Sequence, residues 1–234
     1  MTSRERILNS IEKAVQAPSD LADLPEGTEK RIAGQLAAIT PKNSEDLQAR
    51  FAEELKKVSG EFVKVESRDR LISFLTETLR KGKIKSLALP GTALTATIAN
   101  RLAAELPELE SVDAAQLDIS SRKARIAEIP FALVDVAYAV ADTGSLVLLL
   151  DEIPSCLPYF LADTVIAILT PDQLVPDLFT LFDRLEPEKT KRMVLITGPS
   201  RTADIEKILI LGAHGPRHLT VCLLNEPHSN RPIR

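Results

Sequence analysis

From Glu61 onward the chain alternates short, partly β-branched apolar runs with stretches whose apolar residues recur at helical spacing, and that alternation restricts the fold more than any other feature. Phe62-Val63-Lys64-Val65 reads as a strand, and Leu71, Phe74, Leu75 and Leu79 share one helix face. Residues 84–89 form the next strand, closed by Pro90-Gly91-Thr92, and Thr95, Ile98, Leu102 and Leu106 mark a second helix. Strand, helix, strand, helix predicts an α/β fold with a mostly parallel sheet and flanking helices. Ligands of such sheets collect beyond the carboxyl ends of the strands. Pro90-Gly91-Thr92 and Thr197-Gly198-Pro199 are both expected at those ends, on one rim.

The middle of the chain breaks the rhythm. Val134-Asp135-Val136-Ala137-Tyr138-Ala139-Val140 reads as a strand running into Ala141-Asp142-Thr143-Gly144-Ser145 and then a second apolar run, 146–150. Two apolar strands joined by Asp-Thr-Gly predict an antiparallel hairpin within or beside the parallel sheet. Residues 165–169 are a buried strand, Leu174, Leu178, Leu181 and Phe182 a helix face, and 219–224 the last strand. Upstream, Ile7, Leu8, Ile11 and Val15 predict a helix over 3–16, followed by a polar linker at Pro25-Glu26-Gly27. Leu47, Phe51, Leu55 and Val58 predict another helix, with Ser44 as its cap. The expected organisation is an N-terminal helix and linker over 1–43, an α/β domain over 44–224 and a polar tail over 225–234. The early helices either form an appendage for a partner or cover the sheet.

Composition narrows the function. The 234 residues are 44% hydrophobic and 26% charged, enough apolar material for a real core. A net charge of -4, aromatics at 4% and no tryptophan argue against a nucleic-acid surface. Cys156 and Cys222 lack the spacing of a cluster or zinc site and read as free buried thiols of a reducing cytoplasm. Neither a signal core nor a run of ~18 apolar residues is present, so no membrane span is expected. His218 and His228 have no partners at metal-ligand spacing, and no metal is expected.

Three glycine-bearing segments carry the chemistry. Met193-Val194-Leu195-Ile196 reads as a strand, and Ile205, Ile208 and Leu209 as a helix face, so Gly198-Pro199-Ser200 is expected to be a strand-to-helix turn. Ser200 or Thr202 would cap that helix, its free N–H groups would suit an anion, and Arg201 offers a forked donor beside it. The same pattern is equally what a capped corner needs, and it matches neither a Walker A loop nor a dinucleotide fingerprint. His214, within Gly212-Ala213-His214-Gly215-Pro216, is the candidate acid–base residue, with loop-backbone bonding as its alternative. Asp142 is a candidate to steer a ligand hydroxyl or simply a turn-former, and Thr143 and Ser145 are candidate donors at the hairpin tip.

Taken together, Ala141-Asp142-Thr143-Gly144-Ser145-Leu146, Thr197–206 and Gly212-Ala213-His214-Gly215-Pro216 resemble the lactate-utilization (LUD) domain family over residues 45–224, and most of all its lactate utilization protein C-like members. The resemblance implies a fold like that of the ribose-5-phosphate isomerase and CoA-transferase group. It also implies an accessory role in oxidising L-lactate to pyruvate beside iron–sulfur partner proteins. One departure stands out: Asp151–163 is short, and Tyr159-Phe160-Leu161-Ala162-Asp163 replaces a histidine region usual in that family. The first expectation is therefore a non-redox accessory protein, without a cofactor of its own, that binds an organic anion or nucleotide-like ligand. Its binding residues would be Thr143, Gly144, Ser145, Gly198, Pro199, Ser200, Arg201, Thr202, Gly212 and Gly215. The alternatives are a stand-alone isomerase or acyl/CoA-transferase using His214, Glu206 or Asp142, and a scaffold that binds no small molecule.

Overall fold

The computed structural model describes residues 43–186, 190–203, 209–211 and 215–226. The chain divides into two units, Met1–Thr40 and Pro41–Arg234, and every element below belongs to the second. The helix expected over 3–16, its linker and residues 227–234 of the expected tail lie outside the described residues.

Helix α1, Ser44–Lys57, begins at the residue expected to be its cap. Asn43, not Ser44, is the cap, its side chain accepting Asp46 N at 2.8 Å. Glu45 and Asp46 at the start and Lys56 and Lys57 at the end complement the helix dipole. β1 (Glu61–Val65), α2 (Arg68–Lys81), β2 (Ser86–Leu89) and α3 (Ala93–Glu105) follow as the periodicity predicts. β3 (Glu110–Asp113) and α4 (Ile119–Ala127) carry weak sequence signals, since Glu-Ser-Val-Asp holds one apolar residue. β4 (Phe131–Asp135), β7 (Thr164–Leu169) and β12 (His218–Leu224) complete a six-stranded parallel sheet ordered β1-β12-β7-β4-β2-β3.

The central strands are apolar on both sides, as a doubly covered parallel sheet requires. Val165, Ala167 and Leu169 face the same core as Phe51 and Leu55 of α1. Their neighbours Ile166 and Ile168 face the opposite core with Leu71, Leu75 and Leu79 of α2 and Ile98 and Leu102 of α3.

A second sheet lies beside the first, ordered β8-β5-β6-β9, with β5 at Tyr138–Val140, β6 at Ser145–Leu149, β8 at Leu174–Val175 and β9 at Met193–Ile196. β5 and β6 form the expected antiparallel hairpin, Val140 facing Ser145. The run read as one strand over 134–140 is split after Asp135, and its halves belong to different sheets. Side chains hold the break: Tyr159 Oη donates to Asp135 O at 2.6 Å and Gln173 Nε2 to Val136 O at 2.5 Å. Tyr159 belongs to the short helix α5, Leu157–Leu161. Leu174, expected on a helix face, is in β8, because Pro176 holds Val175 extended and delays helix α6 to Leu178–Arg184. Phe182, expected to be buried, is 55% exposed beside Phe179 at 63%.

The largest correction concerns residues 201–203 and 209–211; Ile205 and Ile208 of the expected helix face lie outside the described residues. Instead of starting a helix, the chain forms β10 (Arg201–Ala203), paired antiparallel with β11 (Leu209–Leu211). Ile208-Leu209-Ile210-Leu211 is a short apolar run that suits a strand as well as a helix, and pairing with Arg201-Thr202-Ala203 decides between them.

Candidate functional site

The β5–β6 turn rests on α1. Gly144 adopts φ 65°, and a Cβ there would stand 2.5 Å from Leu55 N and 2.8 Å from the Glu54 carbonyl carbon. Only glycine allows the helix backbone so close. Ser145 Oγ and Thr197 Oγ1 are hydrogen-bonded at 2.6 Å, which ties the turn to the end of β9, whose Ile196 pairs with Leu146. Gly198 (φ 80°) lies on Val58, where a Cβ would meet Cγ2 at 2.7 Å. Ser200 N donates to Pro216 O at 2.8 Å, and a Cβ on Gly215 would lie 3.2 Å from Ser200 Cβ. Three segments far apart in sequence thus meet at one junction.

Its place differs from the expectation. Val58 immediately precedes the β1 connection and Pro216 immediately precedes β12, so the junction lies at the amino side of the parallel strands. Pro90-Gly91-Thr92 is at the carboxyl side, with Gly91 against Asp113, Ala115 and Pro154. The two turns share no rim. Since strand β10 follows Gly198-Pro199-Ser200 directly, Ser200 and Thr202 cap no helix there, and the dipole contribution to anion binding falls away. Arg201 and Thr202 are in β10, Pro199 is buried, and Gly212 and His214 lie outside the described residues.

The electrostatics around the turn are unusual. Burial raises the Asp142 carboxyl pKa above its ordinary value; the Asp177 charge raises it further, while Arg50 on α1 opposes both. Asp142 N donates to Pro176 O at 3.1 Å, but Asp142 Oδ1 is buried without a hydrogen-bond partner, as are Thr143 Oγ1 and Arg50 Nε. A buried unpaired group costs about 1–3 kcal/mol.

The carboxyl ends of β2 and β4 behave differently. The connection from β2 leads to β3 and that from β4 leads the opposite way to β7, which makes this the switch point of the sheet. Thr92 Oγ1 donates to Asp135 Oδ1 at 2.7 Å, Thr92 and Thr95 hydroxyls meet at 2.8 Å, and Tyr159 and Gln173 engage the backbone nearby. These polar groups are satisfied by one another, and they act as a clamp on the step between sheets.

Sequence reasoning passed over Arg50, Asp177 and Tyr159. Arg50 and Glu54 stand four residues apart, each beside a residue of the Phe51–Leu55 stripe, and that spacing was the available signal. Asp177 and Tyr159 are brought in only by tertiary structure. Residues 151–163 contain α5 and contribute to the clamp: Ser155 N donates to Pro90 O at 3.0 Å.

Comparison with known proteins agrees with this architecture. The LUD domain family model matches residues 48–224. Lactate utilization protein C of Geobacillus sp. (strain WCH70) is 29% identical over 126 residues, 50% of this chain and 52% of the relative. The chain therefore matches about half the length of that curated relative. The crystal structure of a DUF162 family protein from Deinococcus radiodurans superposes with a TM-score of 0.56 at 15% identity, covering 79% of this chain and 100% of that one. That likeness shows a shared fold. Among the described residues no helix is long and apolar enough to cross a membrane.

Proposed function

Because the chain belongs to the LUD domain family, we propose that it serves the oxidation of L-lactate to pyruvate as a non-redox accessory component beside iron–sulfur partner proteins in the cytoplasm. The observation that carries this reading is the family match over residues 48–224, read together with a relative named for lactate utilization. In this role the partners carry the electrons, and the chain binds a small organic anion at the junction of its turns. Thr143 and Ser145 supply hydroxyls there, Gly144, Gly198, Pro199 and Gly215 shape the backbone, and Ser200 leads into the strand that holds Arg201 and Thr202; Gly212 and His214, outside the described residues, complete the proposed set. His214 is the residue of this set suited to hold or release a proton.

Affinity capture of the tagged chain from cells grown on L-lactate tests the partner assignment. Iron–sulfur proteins are expected to co-purify, identified by mass spectrometry and by the visible absorption of their clusters, and to be absent from a mock capture. Recovery of the chain without any such protein would overturn the assignment.

A further inference from the structure

Five buried side-chain polar atoms among the described residues have no hydrogen-bond partner: Arg50 Nε, Arg68 Nε, Thr76 Oγ1, Asp142 Oδ1 and Thr143 Oγ1. Arg68 Nε is compensated by an ion pair with Glu226 at 2.8 Å, and Thr76 stands apart in the groove between α2 and α3. The other three share one contact. Gly144, next to Thr143, lies against Glu54 and Leu55, and Arg50, one turn earlier on α1, acts electrostatically on Asp142.

The remaining charges here are already engaged. Glu54 binds Lys57 Nζ at 2.8 Å, and the Asp177 side chain accepts Thr180 N at 2.7 Å as the cap of α6. That leaves a guanidinium donor, a carboxylate acceptor and a hydroxyl that serves as either. Natural proteins keep such buried groups paired, so three orphans in one contact indicate a partner beyond the described residues. Arg50, Asp142 and Thr143 are themselves only partly buried, so the contact opens to solvent.

We propose that the contact between α1 and the β5–β6 turn binds a small 2-hydroxy carboxylate, whose carboxylate accepts from Arg50 and whose hydroxyl donates to Asp142, with Thr143 completing the set. This rests on the reading that the chain handles an organic acid of L-lactate oxidation, and it adds the place and the chemical class. A guanidinium is the side chain best matched to a carboxylate. In its ionised form the Asp142 carboxylate accepts but cannot donate, and it then demands a donor on the ligand. A 2-hydroxyl supplies that donor and a 2-keto group does not. The site therefore separates L-lactate from pyruvate, although the two differ by only two hydrogens.

Isothermal titration calorimetry of the full chain with L-lactate, glycolate, pyruvate and propionate tests this. L-lactate and glycolate are expected to bind, with pyruvate and propionate at least about tenfold weaker, since each leaves Asp142 without a donor. Arg50→Met should weaken L-lactate at least about tenfold, and Asp142→Ala should erase the preference over propionate. Far-ultraviolet circular dichroism checks that each variant is folded, and Thr143→Val serves as an isosteric second probe, expected to weaken L-lactate. If a variant fails to fold, the preference of the native chain decides. Binding of pyruvate or propionate as tight as that of L-lactate would overturn the class. No binding of either hydroxy acid, or binding unchanged in the folded variants, would overturn the site. Neither result touches the capture of iron–sulfur partners, which tests the broader role separately.

Discussion

Asp142 holds its carboxyl where a charge is disfavoured, and the sign of that effect is measurable. Its folded pKa is raised above the ordinary value, through burial first and the Asp177 charge second. The folded state therefore binds the proton more tightly than the unfolded chain does. The stability this contributes is fully present below the ordinary carboxyl pKa and is lost as pH rises through the raised folded value. Asp142→Asn, which has no charge to bury, should accordingly be more stable than the native chain at pH 7, with the advantage shrinking towards pH 3. Thermal unfolding across that range checks it, and an advantage that grew on acidification would contradict it. Cys222 makes a second prediction at this scale. It is fully buried and its thiol is pushed up to about 12, so it should resist a maleimide in the native protein, while the partly exposed Cys156 reacts. Mass spectrometry should find one label before denaturation and two after it.

At the level of elements, the hairpin turn and α1 are one unit held by a glycine. Gly144→Ala forces an L-residue to φ 65° and drives a methyl group into the backbone at Leu55. The conformational cost alone is about 1–3 kcal/mol, and relief of the clash must lift α1 from the sheet. A lowered urea midpoint with faster hydrogen exchange in α1 is the expected outcome, and exchange confined to the turn would contradict it. The step from β4 to β5 is held instead by side chains. Tyr159→Phe, which removes one donor to the Asp135 carbonyl, should cost about 1–2 kcal/mol with an unchanged denaturant slope. These junctions also mark where the sequence stops being legible. The strands of the parallel sheet announce themselves through apolar runs, and α2 and α3 through their periodicity. The break after Asp135 does not, because residues 134–140 are apolar on both sides of it and the groups that end the ladder come from residues 159 and 173. The pairing of β10 with β11 is hidden for a related reason: the apolar run at 208–211 fits two periods, and only strand pairing chooses one.

For the whole molecule, the antiparallel sheet and α1 bring three distant turns together on the amino side of the parallel strands, away from the carboxyl-end crevice where such folds commonly bind ligands. The hairpin tip and the Gly198 turn were visible as motifs. Their meeting through Ser145 and Thr197, and the approach of Arg50, depend on how two sheets and a helix stack, which no local pattern encodes. The proposed role sets this architecture in L-lactate oxidation, and the most direct measurement is pyruvate formation from L-lactate in cells lacking the chain. Lysates of such cells should form pyruvate from L-lactate at no more than about a tenth of the parental rate, and re-expression of the native chain should restore it. An undiminished rate in the deletion strain would contradict a role in L-lactate oxidation.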